Sequence, residues 1–110
     1  MFARHVSMKL KANSAPEFNR IIVNEIIPLL RKEKGFEDEI TFIAPERSEA
    51  AAISFWATKE NAEAYHRTGY PDVLKALAKV VDGTPKVEMF EVSNSTFHKL
   101  ASAAKASLLN

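Results

Sequence analysis

Four side chains able to do chemistry crowd into one short stretch. Trp56, Tyr65, His66 and Tyr70 fall between positions 56 and 70, and the chain has no other tryptophan and no other tyrosine. Indole and phenol rings stack on a flat ligand. The Tyr65 hydroxyl can donate a hydrogen bond to a carbonyl or a phenol oxygen. Histidine titrates near neutral pH, which makes His66 a candidate base. Arg4 and His5, near the N-terminus, add a cation that could steady an oxyanion and a second candidate base. Each residue also has a plain structural reading. Trp56, Tyr65 and Tyr70 fit a core, Arg4 can snorkel from a sheet edge, and His5 and His66 can be solvated surface groups.

Composition bounds the rest. At 110 residues, 46% hydrophobic and 26% charged, the chain is expected to be one ordinary globular domain. Fifteen Lys and Arg against 14 Asp and Glu leave a net charge of +1, which gives no field to draw nucleic acid or an anionic membrane. There is no cysteine, so disulfides, thiolate nucleophiles and Cys-bound metals are excluded. His5, His66 and His98 are too far apart for a recognisable zinc motif. Glu37, Asp38 and Glu39 read as a solvated strand edge, because alternate strand residues point to opposite faces. No metal and no cofactor are expected. Arg4, His5 and Lys9 stand where a signal peptide needs an apolar run, and no apolar stretch approaches the ~20 residues of a membrane span. The expectation is a cytoplasmic protein.

The elements that must position these residues follow from periodicity. Residues 2–10 alternate as a strand, with Phe2, Arg4, Val6, Met8 and Leu10 on one face and His5 on the other. Ser14 to Glu17 has the spacing of a capping box. Phe18, Ile22, Ile26 and Leu29, with Ile21 and Leu30 beside them, then mark an amphipathic helix. Pro28 removes the bond to the Asn24 carbonyl, so a kink or break is expected there. Residues 36–44 form a second strand with Phe36, Asp38, Ile40 and Phe42 on one face. Residues 45–48 turn, and residues 49–57 return as a third strand. Thr58 caps a short helix over 59–67, and Gly69 breaks it. Pro71 opens a helix with the stripe Val73, Leu74, Leu77 and Val81. Residues 82–85 turn into a last strand over 86–92. Residues 96–109 read as a helical tail.

This β–α–β–β–α–β order predicts an α+β fold, a ferredoxin-like βαββαβ sandwich with a four-stranded antiparallel sheet and an extra C-terminal helix. Residues 1–93 form the domain and residues 94–110 the tail. Such a sandwich leaves one sheet face bare. Ile53, Phe55 and Ala57 make that face apolar on the third strand, so a homodimer packed sheet to sheet is expected.

Three stretches, IIPLLRKEKGF (26–36), SFWATKENAEAYH (54–66) and YPDVLKALAKV (70–80), resemble the antibiotic biosynthesis monooxygenase family over roughly residues 1–93. The resemblance implies a dimeric α+β barrel with a pocket between helices and sheet in each subunit, lined by a strand-end tryptophan such as Trp56. Many members carry a histidine nine residues after that tryptophan. Here the position is Tyr65 and His66 follows, rotated by about 100° around a helix. Members that degrade haem carry an asparagine on the first strand and a histidine on the last core helix. Neither is present here, so the resemblance does not extend to haem degradation.

Two functions follow from the resemblance. The first is a cofactor-independent, monooxygenase-like oxidoreductase acting on an aromatic, quinone or polyketide-like compound. His66, Tyr65 and His5 are its candidate catalytic groups, and Trp56, Tyr70 and Arg4 its candidate substrate-binding groups. The alternative is a non-catalytic small-ligand-binding or stress-response dimer on the same scaffold. In either case the expected ligand is a small hydrophobic or aromatic molecule. An RNA-binding reading of the same strand order fails, because residues 49–57 lack the glycine and basic start of that motif.

Overall fold

A computed structural model describes residues 1–96 of the chain. The expected tail helix over 96–109 lies outside the described residues, save for position 96. Strands β1 (Phe2–Leu10), β2 (Phe36–Ala44), β3 (Glu49–Trp56) and β4 (Val81–Glu91) form one antiparallel sheet in the order β2-β3-β1-β4. The helices are α1 (Ala15–Ile21), α2 (Ile27–Arg31), α3 (Lys59–Thr68) and α4 (Tyr70–Leu77). The sandwich read from the sequence is therefore the observed architecture.

The β1 alternation is realised residue by residue. Arg4, Val6, Met8 and Leu10 are buried beneath the helices, while His5, Ser7 and Lys9 turn to the other face. From above, Phe18, Ile21, Ile22, Ile26 and Leu30 meet them, with Tyr65, Tyr70, Val73 and Leu77.

Four local expectations are corrected. Pro28 does not break the first helix. The chain widens one turn earlier into a π segment (Ile22–Ile26), in which the Ile27 N–H donates to the Ile22 carbonyl. This relieves the crowding between the proline ring and the carbonyl of Asn24. It also shifts the phase, so that Leu30 is buried and Leu29 only partly so. The capping box does not form. Ser14 makes no side-chain cap bond, and Glu17 instead accepts two bonds from Arg20 at 2.6 and 2.8 Å. At the other end of the fold, α4 stops at Leu77 and Val81 already belongs to β4, paired with Leu10. A bulge spanning Gly83 and Pro85 absorbs the extra residues between the Lys9–Asp82 and Ser7–Lys86 pairs. Proline cannot donate to a ladder, so a bulge is where a strand tolerates it.

The fourth correction is in β2. Phe36 pairs with Trp56, but Asp38 pairs with Phe55, leaving Glu37 in a bulge. One extra residue reverses the faces. Phe36 and Glu39 therefore point toward the helices, and Asp38, Ile40 and Phe42 point away.

Thr58 caps α3 as expected, its hydroxyl accepting from the Asn61 N–H at 3.0 Å. Among the described residues no helix is long and apolar enough to cross a membrane. Gly35 ends the first helical stretch at φ +81°, and a Cβ there would lie 2.2 Å from Asn61 Oδ1. A Gly35→Ala variant meets both strain and a clash. It should lose more than about 1 kcal/mol, seen as a lower urea midpoint with an unchanged slope.

Candidate functional site

Cross-strand pairing sets the floor of the site. Glu39 pairs with Ser54, Ser54 with Arg4, and Arg4 with Met89, so these four form one row across the sheet. All four face the helices. Arg4 is 1% exposed and Ser54 7%.

The helices supply the roof. Gly69 lets α3 pass directly into α4, because a Cβ at that position would lie 2.8 Å from the Tyr65 ring. Tyr65 and Tyr70 thereby close over Arg4, whose guanidinium carbon lies 4.9 Å from one ring centroid and 4.4 Å from the other. A cation held on two aromatic faces gains about 0.5–2 kcal/mol from each. Burial pushes the guanidinium pKa down, and the two tyrosines push it back up. Burial likewise raises the pKa of both phenols, while Arg4 opposes that shift.

On its far side Arg4 Nη2 lies 2.9 Å from His66 Nδ1. A guanidinium can only donate, so Nδ1 must accept, and the His66 proton sits on Nε2. The His66 pKa is lowered by burial, then by Arg4 and Arg67. Among the described residues no carboxylate lies within ion-pair distance of Arg4, and its Nε has no hydrogen-bond partner.

Beneath Tyr65, Trp56 is wholly buried. It stacks on the Tyr65 ring at 4.8 Å and 25°, meets Phe36 edge-on at 5.6 Å, and donates from Nε1 to Ser54 Oγ at 2.9 Å. Trp56 thus supports the site from below and does not line it.

A partly enclosed cavity of about 40 Å³ opens between this row and the helices, with room for a few waters. Arg4, Glu39, Ser54, Tyr65 and Tyr70 supply its polar wall. Ile22, Ile26, Leu30, Val73, Leu74 and Leu77 supply an apolar one, two of them set by the π segment.

Of the residues singled out from sequence, Arg4, Tyr65 and Tyr70 come together at this cavity. His66 lies across Arg4 from it, exposed, in a separate open groove with Glu63, Arg67 and Met89. His5 is on the opposite sheet face, paired with Ile53 and Glu88, and cannot reach the cavity. Glu39 and Ser54 are the polar lining residues that the sequence reading missed. The β2 bulge turns Glu39 inward. Periodicity pointed the other way: Phe36, Ile40, Phe42 and Ala44 alternate on one face and Glu37, Glu39 and Thr41 on the other, and the bulge that reverses the faces leaves no mark on that pattern. Glu39 accepts a hydrogen bond from the Thr41 hydroxyl, and burial raises its pKa. No group of three or more His, Cys, Asp or Glu able to hold a metal occurs among the described residues.

Two outcomes follow from this geometry. His66 titrates below the ordinary histidine value of 6.5 when folded, so the unfolded chain binds more protons in that window. Its contribution to stability should be present above pH 6.5 and lost as the pH falls below it. Urea unfolding across that range should show this slope, and His66→Gln should lack it. Arg4→Met removes a buried cation that has no anion, at similar volume. It should leave the ligand-free protein at least as stable as wild type, whereas Arg4→Ala leaves a void and should lose about 2 kcal/mol or more.

No protein-family model matches the sequence, and no curated protein does. Solved structures do match. A protein of unknown function from Nitrosomonas europaea aligns over 89% of this chain and 94% of its own at TM-score 0.73 and 17% identity. The monooxygenase ActVA-Orf6 of Streptomyces coelicolor, solved with nanaomycin D, aligns over 89% and 92% at TM-score 0.72 and 11% identity. SnoaB, a cofactor-independent oxygenase from Streptomyces nogalater, aligns over 88% and 97% at TM-score 0.67 and 13% identity. Further matches carry the name antibiotic biosynthesis monooxygenase. At these identities the likeness speaks for the fold, and the fold of this chain is that of the antibiotic biosynthesis monooxygenases.

Proposed function

We propose that the chain binds an aromatic, quinone or polyketide-like compound as its anion and oxidises it with dioxygen, as a cofactor-independent monooxygenase. The observation that carries this reading is Arg4, a cation 1% exposed that faces a cavity and has no anionic partner among the described residues. An unpaired buried charge costs several kcal/mol, and a ligand oxyanion removes that cost.

The chemistry uses what the cavity holds. A substrate methylene conjugated through the ring with an aromatic ketone loses a proton, and the resulting enolate places its oxygen against Arg4 and the tyrosine hydroxyls. The electron-rich carbon then gives electrons to dioxygen. One oxygen atom stays as a new carbonyl and the other leaves as water, so the methylene, its two hydrogens and dioxygen are all accounted for. The apolar wall keeps bulk water from the anion. A ring enters by parting that wall, since about 40 Å³ holds only a few waters. The oxygenase activity of the SnoaB neighbour and the nanaomycin D bound by ActVA-Orf6 support this reading by analogy of fold.

A second reading, a non-catalytic ligand-binding or stress-response dimer, draws on one observation: none of the described residues that line the cavity is a histidine. Either protein would work as a homodimer. The sheet face away from the helices carries Phe42 and Phe90 at 54% and 51% exposure, and a second copy would cover them.

The test uses 1,8-dihydroxyanthrone, a flat aromatic ketone with an acidic methylene. Wild type should bind it and take up dioxygen without added metal or cofactor, measured by calorimetry and an oxygen electrode. Arg4→Met should bind it at least about tenfold more weakly, a loss of about 1.4 kcal/mol, and Tyr70→Phe should lose less. Binding without oxygen uptake would favour the second reading. Equal binding by wild type and Arg4→Met would overturn the anion site.

A further inference from the structure

We infer that Glu39 is the general base of this cavity, taking a proton from a ligand whose oxygen end rests against Arg4. The inference rests on the function proposed above and adds a residue that neither the sequence nor the fold comparison assigns.

Position comes first. Arg4 on β1 and Glu39 on β2 lie in one cross-strand row with Ser54 between them. Adjacent strands are about 4.8 Å apart, so the two backbones are separated by about 10 Å. A cation and a carboxylate thus line the same cavity from different strands, and no ion pair joins them among the described residues. A fused-ring ketone whose carbonyl and acidic methylene are on opposite edges of one ring presents its oxygen to one of these side chains and its C–H to the other.

Elimination comes second. Among the described residues, the titratable side chains lining the cavity are Arg4 from β1, Glu39 from β2, Tyr65 from α3 and Tyr70 from α4. The first helical stretch contributes only Ile22, Ile26 and Leu30. A guanidinium cannot accept a proton. Both phenols have raised pKa values and stay protonated near neutral pH. His66 Nδ1 is occupied by Arg4, and His5 is on the other sheet face. Glu39 remains. Burial raises its pKa, which moves a carboxylate toward the range where a base works well. The Thr41 hydroxyl donates to Oε2 and holds the carboxylate, leaving Oε1 for the ligand.

The step balances without an oxidant. An O–H bond forms at Oε1 as the ligand C–H bond breaks. The electron pair of that bond moves into the ring system and onto the carbonyl oxygen, where Arg4 meets the charge.

The experiment isolates this step from oxygen chemistry. Under anaerobic conditions in D2O, exchange of the methylene protons of 1,8-dihydroxyanthrone is followed by NMR, and binding is measured alongside. Wild type should speed exchange over buffer. Glu39→Gln should bind the anthrone as wild type does yet lose about a hundredfold of the enzymatic exchange rate. Glu37→Gln, altered on the exposed bulge, should keep it. In wild type the exchange rate should rise with pH through one ionisation above the ordinary carboxylate value of 4.5. That profile serves as an independent check if circular dichroism shows Glu39→Gln unfolded. Wild-type exchange by folded Glu39→Gln, or a flat wild-type profile, overturns the inference while leaving the anion site standing. Failure of wild type to bind the anthrone overturns both.

Discussion

The burial of Arg4 is the constraint on which the site depends. A guanidinium on the apolar face of a central strand must be offset or it will not stay there. Two tyrosine faces and one histidine nitrogen do this, and none of the three carries a formal negative charge. α3 and α4, held on the sheet by apolar residues such as Ala62, Val73 and Leu77, bring these groups to the guanidinium. Tyr65 and Tyr70 have to close on the cation, Trp56 has to support Tyr65, and Ser54 has to satisfy the indole nitrogen. The offset is incomplete because Nε is left without a partner. The anion proposed as ligand would complete it.

Two irregularities shape the cavity around that cation. The π segment before Pro28 widens the helix over Ile22 and Ile26, both of which line the apolar wall. The bulge at Glu37 turns Glu39 from the bare face of the sheet to the helix face. Each is a local departure from ideal geometry next to the place where chemistry is proposed, as is common for π-bulges and β-bulges. The strain of each is small beside the apolar burial of the surrounding residues, so the fold tolerates both.

Each sheet face carries groups unlike their surroundings. Under the helices the row of Glu39, Ser54 and Arg4 is polar within an otherwise apolar layer. Outside, Phe42 and Phe90 are exposed beside Ile40 and Ile53. Polar groups are held inside where a ligand could use them, and apolar groups outside where a second copy could cover them. His5 belongs to this outer face, which is why its chemistry stays separate from the cavity.

The amino-acid pattern alone determined the element order, the sheet topology and the burial of most core positions, because period-two and period-3.6 alternation is a direct imprint of one-sided burial. It also placed Arg4 on the apolar face of β1 and brought Tyr65 and Tyr70 near each other across a glycine. It could not place Glu39, since strict alternation along β2 sets Glu39 on the face away from Ile40 and Phe42 but says nothing of the bulge at Glu37 that turns this face toward the helices. It could not place His66, since one residue of helix rotation decides whether a side chain meets the cavity or the groove beside it. Nor could it show that Trp56 supports Tyr65 from beneath rather than lining the cavity. These three outcomes depend on how α3 lies across the sheet and where β2 slips by one residue. Tertiary packing decides both, because the alternatives differ locally by little and only the assembled core separates them.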